Sequence, residues 1–361
     1  MARVLSHILS LFTLWHVSLC LVLPQNPLAS PSPATASPQT ASNPLPLVIW
    51  HGLGDKSVPF NIQHLRLTNE SHSYDAEGLK SVGDLAQKID PGTYVYYIRI
   101  DDDPSADRTA TFLGNLTLQI QKVCDDLATH PILSTAPQIN ALGFSQGGQF
   151  LRAYIERCNH PPVANLVTFG SQHNGISDFQ NCEVNDWVCQ GARGLLRGNT
   201  WSDFVQRRLV PAQYYRDPED LESYLKSSNF LADVNNERKI KNATYGENMK
   251  KLERFAMYVF SEDKTVVPKE SGWFSEVNTT SGKVTKLQDR RVYVEDWLGL
   301  RWLDEEDRLE FRDAPGKHME LSDEILIEVF KRYFRPRAKG GLDRDRDIHK
   351  EAEEALIQEE L

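Results

Sequence analysis

The 361-residue chain has no internal repeat, no P-loop, no His-Glu-x-x-His and no Cys-x-x-Cys. These absences take away the common nucleotide and metal signatures, so the sequence gives no reason to expect a cofactor or a metal. It also lacks the basic excess that nucleic-acid binding requires. Its 40 Lys and Arg stand against 50 Asp and Glu, a net charge of -10. A long apolar span is missing as well. The run from Ile8 to Leu23 is broken by Ser10, Thr13, His16 and Ser18, and a bilayer crossing needs roughly 20 apolar residues. Behind the basic Arg3, that run reads as a cleaved secretory signal over residues 1–24. An uncleaved signal anchor is the alternative reading.

Cysteine is scarce, with five in the chain. Cys20 falls in the signal. Cys124, Cys158, Cys182 and Cys189 remain, an even number suited to two disulfides in an oxidising compartment. Three pairings are possible and the residues alone do not choose among them. Asn-x-Ser/Thr acceptors at Asn69, Asn115, Asn242 and Asn278 fit the same route, to a lysosomal or vacuolar lumen or, alternatively, to secretion. Residues 25–46 are rich in Pro, Ser, Ala and Thr, too poor in apolar surface to fold, and read as a disordered leader. Residues 335–361 are a charged tail. The chain length has room for one large α/β domain or two small ones, and residues 47–334 between these segments are read as one.

The chain is organised around Gly143-Phe144-Ser145-Gln146-Gly147-Gly148. A short apolar segment, Gln138 to Leu142, precedes it. Phe150, Leu151, Tyr154 and Ile155 follow at helical spacing. Strand, Gly-x-Ser-x-Gly turn and helix in that order form the setting of a nucleophile elbow. The glycines let strand and helix approach closely, and the helix N-terminus directs N–H groups toward a developing oxyanion. The bland alternative is an ordinary Gly-rich βα turn.

Other strands are expected at Leu47–Trp50, Tyr94–Ile100, Val163–Phe169, Phe255–Ser261 and Arg291–Val294, the last taken as the final strand. A helix is expected over Phe112–Leu127, and another from an N-cap at Ser322 to Phe334. Leu47–Trp50 runs into His51-Gly52-Leu53-Gly54-Asp55, where the Leu53 N–H is placed to serve as an oxyanion donor. Asp101-Asp102-Asp103 reads as a solvated loop rather than a metal site. His173, in the loop after Val163–Phe169, is either a group lining the substrate site or an ordinary loop histidine. Residues 175–251 break the strand–helix rhythm and read as a helical cap inserted over the active-site edge. Asp263, just after a late strand, is favoured over Glu262 as the acid that orients a histidine. Of the histidines beyond it, His349 lies in the charged tail. His318, before the last helix, is the expected base.

These stretches together resemble the lysosomal type of palmitoyl-protein thioesterase. The similarity lies in Val48–Asp55, Leu142–Arg152, Gly170–His173 and Asp263–Pro268, and extends from about Leu47 to Phe334. The resemblance implies an α/β-hydrolase fold, a mostly parallel sheet flanked by helices. It implies Ser145, Asp263 and His318 as the catalytic set, and pairs Cys124 with Cys158 and Cys182 with Cys189. It implies S-acylated proteins and long-chain acyl thioesters as substrates, in a lysosome-like lumen. Oxyanion stabilisation would come from the N–H groups of Gln146 and Leu53. Animal members carry a further adjacent cysteine pair after the His-Gly loop, where Lys56-Ser57 stands here. A lipase or carboxylester hydrolase with the same triad, and a non-catalytic lipid-binding protein, are the competing readings.

Overall fold

Runs of consecutive apolar residues become the central strands because both faces of a parallel sheet are covered. Strands β1 (Leu47–Trp50), β2 (Val95–Tyr97), β3 (Ile139–Phe144), β4 (Val163–Phe169) and β5 (Arg254–Phe260) lie in this sheet. A small antiparallel pair follows, β6 (Glu276–Val277) with β7 (Val284–Thr285), and then β8 (Leu309–Ala314) completes the sheet. The order is β2-β1-β3-β4-β5-β8, with every pairing parallel. The computed structural model describes residues 43–54, 76–178 and 198–335. The signal segment, most of the leader, the tail beyond Arg335, Asn69, Cys182 and Cys189 lie outside the described residues.

Alternate residues of the strands feed two cores. Val48, Trp50, Ala141, Leu166 and Met257 face one side, where α3 (Leu116–Thr129) and α4 (Gln146–Arg157) pack. Leu47, Ile49, Leu142, Val167 and Tyr258 face the other side. There α1 (Ala76–Ile89) and a C-terminal helix (Asp323–Val329, continued by a π-helical turn to Phe334) pack. In α3 the buried Leu116, Ile120, Val123 and Leu127 recur every three or four residues, the spacing of one helix face. Asn115 caps it, its Oδ1 accepting from the Leu118 N–H at 3.3 Å. Cys124 on α3 is bonded to Cys158 at the end of α4, 34 residues on. Closing a loop of that size contributes about 2–4 kcal/mol in the chain-entropy account.

This is the α/β-hydrolase arrangement, with corrections to the expected elements. Arg291–Val294 is a helical turn, not the last strand. Its β-branched and aromatic residues imitate a strand, but only Val292 is buried. The last strand is β8, an edge strand whose charged Glu310, Arg312 and Asp313 hide its alternation. The strand expected over Tyr94–Ile100 is limited to Val95–Tyr97. A helix unforeseen in the sequence, α2 (Pro104–Ala110), begins where Asp103 caps it; its Oδ1 accepts from the Ala106 N–H at 2.8 Å. Residues 198–251, between β4 and β5, form short helices at Asp203–Gln206, Val210–Gln213, Leu221–Ser227, Leu231–Val234 and Ala243–Met249. No helix among the described residues is long and apolar enough to cross a membrane.

Candidate active site

The turn between β3 and α4 explains its own sequence. Ser145 sits at φ 51° and ψ -125°, a conformation non-glycine residues rarely adopt, and its N–H is held by the Phe169 carbonyl at 2.8 Å. A Cβ on Gly143 would stand 2.2 Å from the Gly148 Cα, and one on Gly147 would stand 2.3 Å from the Trp50 carbonyl oxygen. Side chains at these positions would force strand and helix apart.

Three expected site residues from separate segments meet at this turn. The Ser145 Oγ lies 3.1 Å from His318 Nε2. His318 Nδ1 lies 2.7 Å from Asp263 Oδ2. The other oxygen of Asp263 accepts from the N–H groups of Thr265, at 2.8 Å, and Val266, at 3.0 Å, so the carboxylate is fixed at both ends. Asp263 is buried, whereas His318 is partly open to solvent. Two loops that bear these residues are tied together. Gly316 O accepts from the Glu262 N–H at 2.9 Å, and the Gly316 N–H donates to Ser261 Oγ at 3.2 Å. Glu262 is therefore a neighbour in the scaffold through its backbone, while the two ring nitrogens of His318 are taken by Asp263 and Ser145.

The two expected amide donors leave adjacent strands at one sheet edge. Trp50 of β1 is paired with Gly143 of β3, so the His51–Gly54 loop and the Ser145–Gln146 turn emerge side by side. With hydroxyl, imidazole, carboxylate and these loops collected at one place, the site has the parts for acyl transfer through a serine.

A family model of the palmitoyl protein thioesterases matches residues 46–318. Palmitoyl-protein thioesterase 1 of Caenorhabditis elegans is 34% identical over 306 residues, covering 83% of this chain and 95% of that protein. The chain belongs to the palmitoyl protein thioesterase family. Palmitoyl-protein thioesterase 3 of Dictyostelium discoideum is 38% identical over 218 residues, covering 60% of this chain and 72% of that protein. The human Lysosomal thioesterase PPT2 is 27% identical over 294 residues, covering 80% of this chain and 84% of that protein.

Beneath the elbow of this thioesterase-family chain lies a buried ionic cluster. The Arg152 guanidinium, wholly buried on α4, donates to Glu156 at 2.6 Å, Asn235 at 2.8 Å, and the carbonyls of His173 at 3.1 Å and Val234 at 3.2 Å. Glu156 keeps one oxygen without a partner, and burial lifts its pKa to about 7 despite Arg152. His173 belongs to this layer. It is fully buried, stacked on Phe274 at 5.1 Å, with Nε2 3.0 Å from Thr168 Oγ1. Burial, then the Arg152 charge, holds its pKa well below the usual histidine value. His173 is a floor residue, not a lining group.

A second cluster joins the segment between β4 and β5 to the chain beyond β5. Glu237 accepts from Arg216 at 3.0 Å, Arg290 at 3.3 Å and the Tyr224 hydroxyl at 2.6 Å. Arg216 also bonds Glu276, and Arg290 bonds Asn174 at 2.7 Å. Burial alone would raise Glu237, but Arg216 and Arg290 bring its pKa below the usual value. Among the expected glycosylation positions, Asn242 is exposed. Asn115 is half-buried as a helix cap, and the Asn278 amide donates to Glu219 at 2.7 Å.

Sequence reasoning did not pick out Asp107. It is fully buried on α2, with Oδ2 3.2 Å from His51 Nε2. The Asp103-Pro104 pair, a cap followed by proline at the first helical position, was the signal that could have located α2.

Proposed function

We propose that this chain is a serine thioesterase. It hydrolyses the thioester between palmitate, or a similar long-chain acyl group, and cysteine in lipidated proteins. The observation that carries the reading is the continuous Ser145–His318–Asp263 hydrogen-bonded chain in a member of this family. Asp263 accepts the His318 Nδ1–H and holds the ring with Nε2 free to accept the Ser145 proton. The Ser145 oxygen attacks the thioester carbonyl. The N–H groups of Leu53 and Gln146 receive the oxyanion. As the tetrahedral intermediate collapses, the C–S bond breaks and His318 returns the proton to the leaving sulfur. Water then gives its proton to His318 and attacks the acyl-serine, and collapse releases the fatty acid and restores the serine. Each methylene of the acyl chain taken out of water contributes about 0.8 kcal/mol. Leu53, exposed in the loop that follows β1, offers apolar surface there.

The domain reading extends this. Residues 1–24 act as signal, 25–46 as leader, 175–251 as cap and 335–361 as tail. An oxidising, lysosome-like lumen is supported by the Cys124–Cys158 disulfide and by the relative named as lysosomal. The second bridge, Cys182–Cys189, goes with it, and Asn242 is the most exposed glycan acceptor among the described residues.

The test is hydrolysis of a palmitoyl thioester and its matching oxygen ester by wild type and Ser145→Ala. Thioester turnover that is lost in the variant is expected. A strong preference for the oxygen ester would replace this reading with a lipase. No turnover of either by the folded protein would leave a binding protein.

A further inference from the structure

The residues that supply the two oxyanion amides stand on different loops, and an oxyanion hole works only if its donors are held at a fixed spacing before the reaction begins. One short helix touches both loops. On α2 and its C-cap, Asp107 and Thr111 lie four residues apart, on one helical face.

Asp107 grips the loop after β1 at its start. Its Oδ2 is 3.2 Å from His51 Nε2, and both side chains are buried. Its Oδ1 accepts the Ile100 N–H at 2.7 Å, which anchors the carboxylate to the chain leaving β2. Thr111 grips the same loop at its end. Its Oγ1 accepts the Gly54 N–H at 2.9 Å while its hydroxyl donates to the Arg108 carbonyl at 2.7 Å. Leu53 is therefore held from both sides. Gly54 has φ +85°, a left-handed conformation that glycine adopts without strain, so the turn can bring its N–H to Thr111. The Thr111 carbonyl also accepts from Gln146 Nε2 at 3.4 Å, which reaches the residue after the serine. The Tyr214 hydroxyl donates to Gln146 Oε1 at 3.3 Å from the opposite side.

We propose that Asp107 and Thr111 are positioning residues that brace the Leu53 amide against the Gln146 amide and so set the width of the oxyanion hole. Neither touches substrate. This rests on the serine-hydrolase reading above but not on the acyl donor being a thioester.

Thr111→Val removes the hydroxyl while keeping the shape, and Thr111→Ser restores it. The variants are compared by kcat and KM on the acyl thioester and the oxygen ester. Two palmitoyl-length ligands complete the set: a trifluoromethyl ketone, which forms an oxyanion on Ser145, and a thioether, which has no carbonyl. Loss of a whole oxyanion donor costs about a hundred- to a thousandfold in kcat, so a loosened one should cost about ten- to a hundredfold. Thr111→Val should lose that in kcat and by the same factor in ketone affinity. KM and thioether affinity should stay within about twofold, and Thr111→Ser should recover most of the loss. Asp107→Asn should show the same pattern, provided it melts near wild type. The proposal is overturned if ketone affinity and kcat are unchanged in Thr111→Val, or if ketone and thioether affinity fall together. A protein that turns over only the oxygen ester, with the same sensitivity at Thr111, would sink the thioesterase reading and leave the brace standing.

Discussion

Replacing Glu156 by Gln should flatten the dependence of stability on pH. Glu156 is wholly buried on α4, with one oxygen on Arg152 and the other unpartnered. Burial raises its pKa from 4.5 to about 7. In the unfolded chain the same carboxyl titrates near its ordinary value. Between these two values the folded protein holds a proton that the unfolded chain has released. The contribution of Glu156 to stability is therefore fully present below about pH 4.5 and is lost as pH rises toward about 7. At about 1.4 kcal/mol per pH unit, the interval amounts to about 3 kcal/mol. Glutamine mimics the protonated form and cannot titrate. Arg152 keeps its other acceptors on Asn235, His173 and Val234. Urea unfolding of both proteins at about pH 4.5, 6 and 7.5 reads the difference directly. The two should agree to within about 1 kcal/mol at the acid end, and wild type should lose about 3 kcal/mol relative to the variant toward neutrality. Parallel curves would refute the reasoning. So would a wild type that gains on the variant as pH rises, because the Arg152 ion pair would then govern the titration.

Three further outcomes are expected. Gly170 has φ +55°, and a Cβ there would stand 3.0 Å from His318 Nδ1, so Gly170→Ala should cut kcat about tenfold or more by displacing the imidazole. A melting temperature that falls without a change in kcat would contradict this. Removing Glu237 leaves the buried Arg216 and Arg290 to share the single, partly exposed carboxylate of Glu276, and Glu237→Ala should cost about 3–5 kcal/mol in chemical denaturation. A loss below about 1 kcal/mol would show that the cluster adds nothing to stability. Cys124→Ser should lower stability by about 2–4 kcal/mol, and reductant should bring wild type down to the level of the variant. A reductant effect as large in the variant as in wild type would assign it to another bridge.

The parts legible in the sequence are those where neighbours along the chain carry the signal. Val163–Phe169 is a strand with those same bounds because every one of its residues is buried. The Ser145 turn is legible because two glycines flank it, and the contacts a Cβ would make show that they are required. What was hidden depends on partners far away in the chain. Glu310 interrupts β8 when read in sequence, yet in the fold it collects Arg312, Arg332 and Tyr333 at the sheet edge. Arg152 and Glu156, four apart on a helix, look like an exposed pair. They are buried because α4 is covered along its length, with Val234 and Asn235 against them. Asp107 and His51 are separated by 56 residues, a pairing that no local pattern announces.

The Arg216–Glu237–Arg290–Glu276 cluster has a consequence for the mobility of the segment it anchors. Two positive and two negative side chains, all largely out of water, bolt residues 216–237 to residues 276–290 on the far side of β5. Swinging this segment away from residues 276–290 would separate these charges, and breaking a buried pair costs about 3–5 kcal/mol, so the separated arrangement is only sparsely populated in the folded protein. This corner of the segment between β4 and β5 is thus pinned to the chain that follows β5, and its position in the fold is set by charge pairing as much as by apolar packing.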